Sequence, residues 1–240
     1  MKPRTWVIIG ATSIIAKYIA HCAAQSGNNI RLVGRDKTQL GIIAQDITLR
    51  FKIPCDFLVI DLTAPPQQLL AALSGEENEL DLLIAQSDFT ENEHLNEQSI
   101  IKLIETNIVA SALLINHYLK LPQEQHNLLY LSSVAACRGR AKNSLYGGSK
   151  AAIEVYLQGL QQSASPTTQI TIARLGFIDT RQTYGASGIF YAAPPQKCAK
   201  ACWKALNKRK KLIFYPFFWR GIMGIITRLP LVVFKKMGSK

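Results

Sequence analysis

The chain has 240 residues, 48% of them hydrophobic and 18% charged, which suits one α/β domain with a substantial core and excludes a disordered chain or a repeat array. The net charge of +12 is uneven: residues 1–179 hold 15 Lys+Arg and all 16 Asp+Glu, while residues 180–240 hold 13 Lys+Arg and no acid. A neutral body with a cationic tail argues against a nucleic-acid binder and for a local role of the tail.

Met1-Lys2-Pro3-Arg4 leads straight into the apolar run Thr5–Ile9, with no signal-peptide pattern, so a cytoplasmic location is expected. The five Cys (22, 55, 137, 198 and 202) are scattered and read as reduced thiols. Cys198 and Cys202 share a helix face, but no His stands near them and no metal site is expected. Gly10 ends the first strand. Ala11-Thr12-Ser13-Ile14-Ile15-Ala16 then opens a helical pattern through Ala24. Strand, tight turn and helix present the helix's first N–H groups to a pyrophosphate.

Asn29–Val33 is the second strand, closed by Gly34-Arg35-Asp36. An acid at this strand end would take the ribose 2′-hydroxyl of NAD, whereas Arg35 suits the 2′-phosphate of NADP; the alternative is a surface pair of Arg35 with Asp36. Phe57–Leu62 reads as the third strand, ending in Asp61, and Leu82–Ala85 as the fourth; between them residues 76–81 form a charged, solvated loop. Asn127–Leu131 is a buried strand leading to Ser133. Tyr146 and Lys150 follow, one helical turn apart on one face. A phenol is a poor acid at neutral pH, and an adjacent ammonium favours the phenolate, which would make Tyr146 a usable general acid. A serine hydrolase is the competing reading, but Gly147-Gly148-Ser149-Lys150-Ala151 falls one residue short of its motif. Gln169–Leu175 is the next strand. Gln196–Asn207, opened by Pro194-Pro195, is the next helix.

Ser133, Tyr146 and Lys150, with Tyr146 thirteen positions after Ser133, resemble the active site of the short-chain dehydrogenase/reductase superfamily over roughly residues 5 to 200. The resemblance implies a Rossmann-type doubly wound parallel sheet in a single domain. It implies Tyr146 as acid/base, Lys150 as modulator of Tyr146 and ligand of the nicotinamide ribose, and Ser133 as holder of the substrate oxygen. It makes Asn107 the anchor, through its carbonyl, of a proton-relay water. It places cofactor contacts at Gly10, Thr12, Ser13, Ile14, Ile15, Arg35, Asp61, Leu62, Ala85, Ile178 and Thr180, in addition to Tyr146 and Lys150. Three positions depart from the family pattern. Ile14 stands at the second glycine of T-G-x-x-x-G-x-G, Ala85-Gln86-Ser87-Asp88 replaces N-N-A-G, and Leu175 replaces the Pro of P-G-x-x-x-T. Residues 181–193, with Gly185, Gly188 and Tyr191, fall where the family has its substrate lid.

Arg138, Arg140 and Lys142 form a cationic group beside the site, read as a solvated loop with phosphate steering as the alternative. Residues 1–207 are expected to form the domain, and residues 208–240 a basic amphipathic tail. On a helical wheel Arg220, Gly224, Thr227 and Arg228 oppose Ile222, Met223, Ile225, Ile226 and Leu229, the pattern of a membrane-surface helix; the alternatives are packing on the domain or a dimer interface. With its first turn, Ser133-Val134-Ala135 and Arg138-Gly139-Arg140, the tail is similar to the branch that includes decaprenylphosphoryl 2-keto-pentose reductases. The expectation is therefore an NADPH-dependent carbonyl reductase, with NADH less favoured, acting on a small or lipid-linked keto-sugar of the cell envelope. It would sit peripherally at the inner face of the cell membrane and associate as a homo-oligomer. The contrasting reading is a non-catalytic nucleotide-binding sensor or scaffold.

Overall fold

The computed structural model describes residues 4–75, 78–180, 183 and 191–237. Among these residues seven parallel strands form one sheet: β1 Thr5–Ile9, β2 Asn29–Gly34, β3 Cys55–Val59, β4 Leu80–Ile84, β5 His126–Ser133, β6 Thr168–Leu175 and β7 Leu212–Tyr215. Their order is β3-β2-β1-β4-β5-β6-β7, the doubly wound arrangement expected. The strands are apolar on both faces because helices cover both. Ile8, Leu32, Leu83 and Leu129 pack with α1 (Ile14–Gln25), α2 (Lys37–Phe51) and α7 (Pro195–Asn207). Their alternates Val7, Ile9, Leu82 and Tyr130 pack with α3 (Pro66–Leu70), α5 (Ala110–Tyr118) and α6 (Ser144–Ser163). α4, Glu97–Ile104, runs into α5 through a π-helical turn, Glu105–Val109. The apolar stretch Glu97–Tyr118 is long enough to cross a membrane. Leu103, Ala110, Leu114, Ile115 and Tyr118 are nonetheless buried in this domain.

Three boundaries correct the sequence reading. β3 ends at Val59, so Asp61 lies in the following loop. The residues from 208 onward do not begin a separate tail: β7 pairs in parallel with β6, Ile172 beside Leu212 through Leu175 beside Tyr215. The single amphipathic helix expected in the tail is two, α8 Trp219–Ile226 and α9 Leu231–Met237, separated at Pro230, which has no N–H to continue the ladder. Trp219 and Met223 of α8 are buried against Val134 in a third apolar cluster.

The sheet's topological switch lies between β1 and β4, where successive connections turn to opposite sides. Clefts form there at the carboxyl ends of the strands, and the site occupies this place.

Candidate active site

Gly10 makes the turn after β1 with φ +78, a backbone conformation that favours glycine. A Cβ there would also stand 2.7 Å from the Gln86 backbone nitrogen, so the chains after β1 and β4 meet only because Gly10 has no side chain. Ser13 caps α1 without a side-chain hydrogen bond. The first-turn N–H groups, which lack intrahelical partners, are left for another acceptor.

From this turn runs a cleft of about 470 Å³. It brings together Gly10, Thr12, Ser13, Ile14, Ile15, Arg35, Asp61, Leu62, Ala85, Ser133, Tyr146, Lys150, Ile178 and Thr180. Asn107 alone of the expected residues lies outside this lining. Asp36 accepts a hydrogen bond from the Gln39 N–H as the cap of α2, in place of the alternative surface pair with Arg35. Arg35 and Lys102 draw the Asp61 carboxyl down electrostatically, after the hydrogen bond from the Thr63 backbone. The glycine turn, the uncapped α1 terminus and the cation at the end of β2 fit a phosphorylated dinucleotide.

At the other end of the cleft, Ser133 closes β5 and its Oγ accepts from the Ala135 N–H at 3.1 Å. Tyr146 lies in the first turn of α6, its ring edge-on to Phe89 at 5.1 Å. Close packing of α6 on the turn after β5 depends on Gly147, where a Cβ would meet the Ala135 carbonyl oxygen at 2.6 Å. Burial raises the Tyr146 hydroxyl above its ordinary range, and side-chain hydrogen bonds with Ser87 and Ser133 draw it back. Lys150 follows one turn along α6 and lines the same cleft. Lys150 is buried, donating to the carbonyls of Gln86 at 3.1 Å and Leu131 at 3.3 Å, with its Nζ 5.2 Å from the Tyr130 ring centre. Burial pulls its ammonium down to about 8, and Glu154 pushes back.

Asn107 sits buried in the π-helical turn, a widening that often marks functional sites. Its side chain brackets the backbone of Asp88, donating to the carbonyl at 2.9 Å and accepting from the N–H at 2.8 Å. It also donates to Ser149 at 3.0 Å. The stretch Ala85–Asp88, which departs from the family run, is thus held by side chains rather than by glycine. Gln86 donates to Ser111 at 2.8 Å and lends its carbonyl to Lys150. Ser87, Asn107's partner Ser149, and Glu154 escaped the sequence reading. Ser87 could have been suspected from its place after a strand at the switch point; nothing local marks Glu154.

Arg138 and Arg140 do not form the expected solvated cluster. Arg138 donates to the carbonyls of Ile226 and Leu229 and lies 4.1 Å from the Phe234 ring centre, while Arg140 approaches the Met223 sulfur. Lys142 pairs with Glu91 at 3.0 Å. Gly185 and Gly188 of the expected lid lie outside the described residues. Tyr191, at its end, faces the Phe218 ring.

The family model for short chain dehydrogenases matches residues 4–187. The chain belongs to the short chain dehydrogenase family. That family comprises nicotinamide-dependent oxidoreductases. Among curated relatives, an uncharacterized oxidoreductase of Mycobacterium tuberculosis is 29% identical over 140 residues, 57% of this chain and 56% of that protein. Among solved structures, one from a study of 7beta-hydroxysteroid dehydrogenase stereoselectivity is similar with a TM-score of 0.86 at 18% identity, covering 98% and 97% of the two chains. A short-chain dehydrogenase from Sphingobium yanoikuyae in complex with NADPH is similar with a TM-score of 0.78 at 19% identity, covering 95% and 97%. At these identities the two structures speak to the fold alone.

Proposed function

We propose that this short chain dehydrogenase reduces a carbonyl to an alcohol with NADPH. The observation that carries the reading is the convergence of Ser133, Tyr146 and buried Lys150 on one cleft with the Gly10–Ile15 turn. Bound NADPH supplies a hydride to the carbonyl carbon. Ser133 holds the carbonyl oxygen and Tyr146 gives it a proton as it becomes an alcohol. Lys150 faces the ribose and keeps positive charge beside the resulting phenolate. The Asn107 carbonyl, in the π-helical turn, is the candidate anchor for a water that returns the proton. Thr12, Ser13 and the N–H groups of Ile14 and Ile15 would take the pyrophosphate, Asp61 and Leu62 the adenine, and Ala85 the ribose. Ile178 and Thr180 would hold the carboxamide. Arg35, in the cleft lining at the end of β2, supports NADPH over NADH.

The substrate we favour is a lipid-linked keto-sugar, met at a membrane surface. Support comes from the C-terminal segment, where Phe217, Ile225, Leu231 and Val232 are exposed among Arg220, Arg228, Lys235 and Lys236. Such a surface lies on an anionic bilayer rather than across it. Exposed Ile101, Ile104 and Val155, on α4 and α6, support association with a second copy.

The test is NADPH oxidation over a carbonyl panel with wild type and Tyr146→Phe. The variant should lose about 10²–10⁴-fold in rate while still binding NADPH. Equal rates would remove the reading.

A further inference from the structure

Across three strands, Ser132 of β5, Arg174 of β6 and Phe214 of β7 stand in one row of the sheet. Above the row lies Glu154 of α6, one helical turn beyond Lys150 and 2% exposed. One carboxylate oxygen accepts from the Ser132 hydroxyl. The other accepts from Arg174 twice, from Nε at 2.8 Å and Nη2 at 2.6 Å. The Arg174 guanidinium in turn lies 5.3 Å from the Phe214 ring centre. A carboxylate so deep is costly unless its lone pairs are filled, and here three donors fill them. The contacts tie the helix that carries Tyr146 and Lys150 to the strand that ends in Ser133.

The charged and titratable groups around Lys150 are Tyr146 and Glu154 on α6, Tyr130 on β5, Asp88 across the cleft, and Arg174 behind Glu154. Lys150 donates to the Leu131 carbonyl and Glu154 accepts from the hydroxyl of the next residue, Ser132, so the two side chains, one turn apart on α6, meet β5 at consecutive positions. Burial works against the ammonium, and Glu154 works for it. A neutral anchor would have held helix to sheet as well. The anion adds an electrostatic role that the reaction can use.

We propose that Glu154 is a positioning residue of the relay: fixed by Ser132 and Arg174, it keeps Lys150 charged and directed into the cleft, and Arg174 sets how strongly it does so. The inference rests on the NADPH reading above. Neither residue touches cofactor or substrate in it; both act through Lys150.

The experiment titrates NADPH into the full-length protein by cofactor fluorescence across the alkaline range. Wild-type affinity should fall as pH rises through about 8, where Lys150 loses its proton. Glu154→Gln removes the anion and leaves Arg174 uncompensated, so the limb should move down by about half a pH unit or more. Arg174→Gln leaves the anion less neutralised, so the limb should move up by about the same amount. A pair that only glues helix to sheet would weaken both variants without moving the limbs in opposite directions, and that result overturns the proposal. If Glu154→Gln does not fold, the direction of the Arg174→Gln limb decides alone: upward supports, unmoved or downward overturns. Tyr146→Phe keeps the two readings apart. Unmoved limbs in a protein whose Tyr146→Phe variant has lost its reductase rate remove only the role of Glu154, whereas an active Tyr146→Phe variant removes the reading beneath it.

Discussion

At the scale of single residues the cofactor choice turns on Arg35. It follows the last residue of β2, in the cleft lining with Lys102 and Asp61. With Asp36 engaged at the α2 cap, the guanidinium is available to a 2′-phosphate. A charge-assisted hydrogen bond of this kind is worth about 1.5–3 kcal/mol. Arg35→Ala should therefore weaken NADPH by roughly 10–100-fold and NADH by much less. Fluorescence titration of both cofactors checks this, and an equal loss would reverse the choice. The chemistry-bearing residues were legible because their spacing is local: Tyr146 and Lys150 share a helix face, and Ser133 ends an apolar run. Ser87 and Glu154 were not. Ser87 shares the cleft with Tyr146, 59 positions on, and the partners of Glu154, Arg174 and Ser132, are 20 or more positions away. A buried Glu on a helix reads in sequence like any solvated one. The burial that raises the Tyr146 hydroxyl was hidden for a related reason: one-turn spacing shows only that Lys150 is near.

At the scale of elements, β1, β2, β5 and β6 announced themselves as apolar runs bounded by turns. The seventh strand did not. Leu212–Tyr215 is only four residues long and is followed by Pro216-Phe217-Phe218-Trp219, so it merges with an apolar tail. What identifies it is its partner strand, which the sequence does not name. α8 was likewise read as part of a membrane-surface helix, with packing on the domain or a dimer interface as the alternatives, and its Trp219 fits against Gly176, where an added Cβ would fall 1.9 Å from the indole nitrogen. Gly176→Ala must displace the indole from the cluster with Val134 and Met223. Overpacking of this kind costs about 1–3 kcal/mol, or a drop in Tm of about 3–10 °C for a domain of this size. Thermal unfolding of the variant measures it, and an unchanged Tm would show that α8 is not docked as described. Arg138 belongs to the same assembly, since its bonds to the carbonyls of Ile226 and Leu229 neutralise the end of α8.

At the scale of the molecule, the uneven charge acquires a place. The body balances its charges internally, as in the pairing of Arg4 with Asp81 and of Arg31 with Asp56. The C-terminal segment carries Arg220, Arg228, Lys235 and Lys236 with no acid, among apolar side chains left outside the third cluster. Each cation near an anionic bilayer contributes about 1 kcal/mol, and each fully buried apolar side chain about 1.5–3 kcal/mol. Four cations and four apolar residues exceed what is needed to hold a protein reversibly at a surface, even after ordering costs. Because β7 belongs to the sheet, cutting the chain after residue 207 would damage the domain. Surface substitutions are the proper test. Phe217→Ser, Ile225→Ser and Val232→Ser together should lower co-sedimentation with phosphatidylserine-containing vesicles by about 100-fold or more while leaving NADPH binding intact. Binding of the wild type should also fall as salt rises and be weak on purely zwitterionic vesicles. Wild type that stays in solution with anionic vesicles, or a triple variant that binds as well as wild type, would leave this face without a membrane role and favour a second protein copy as its cover.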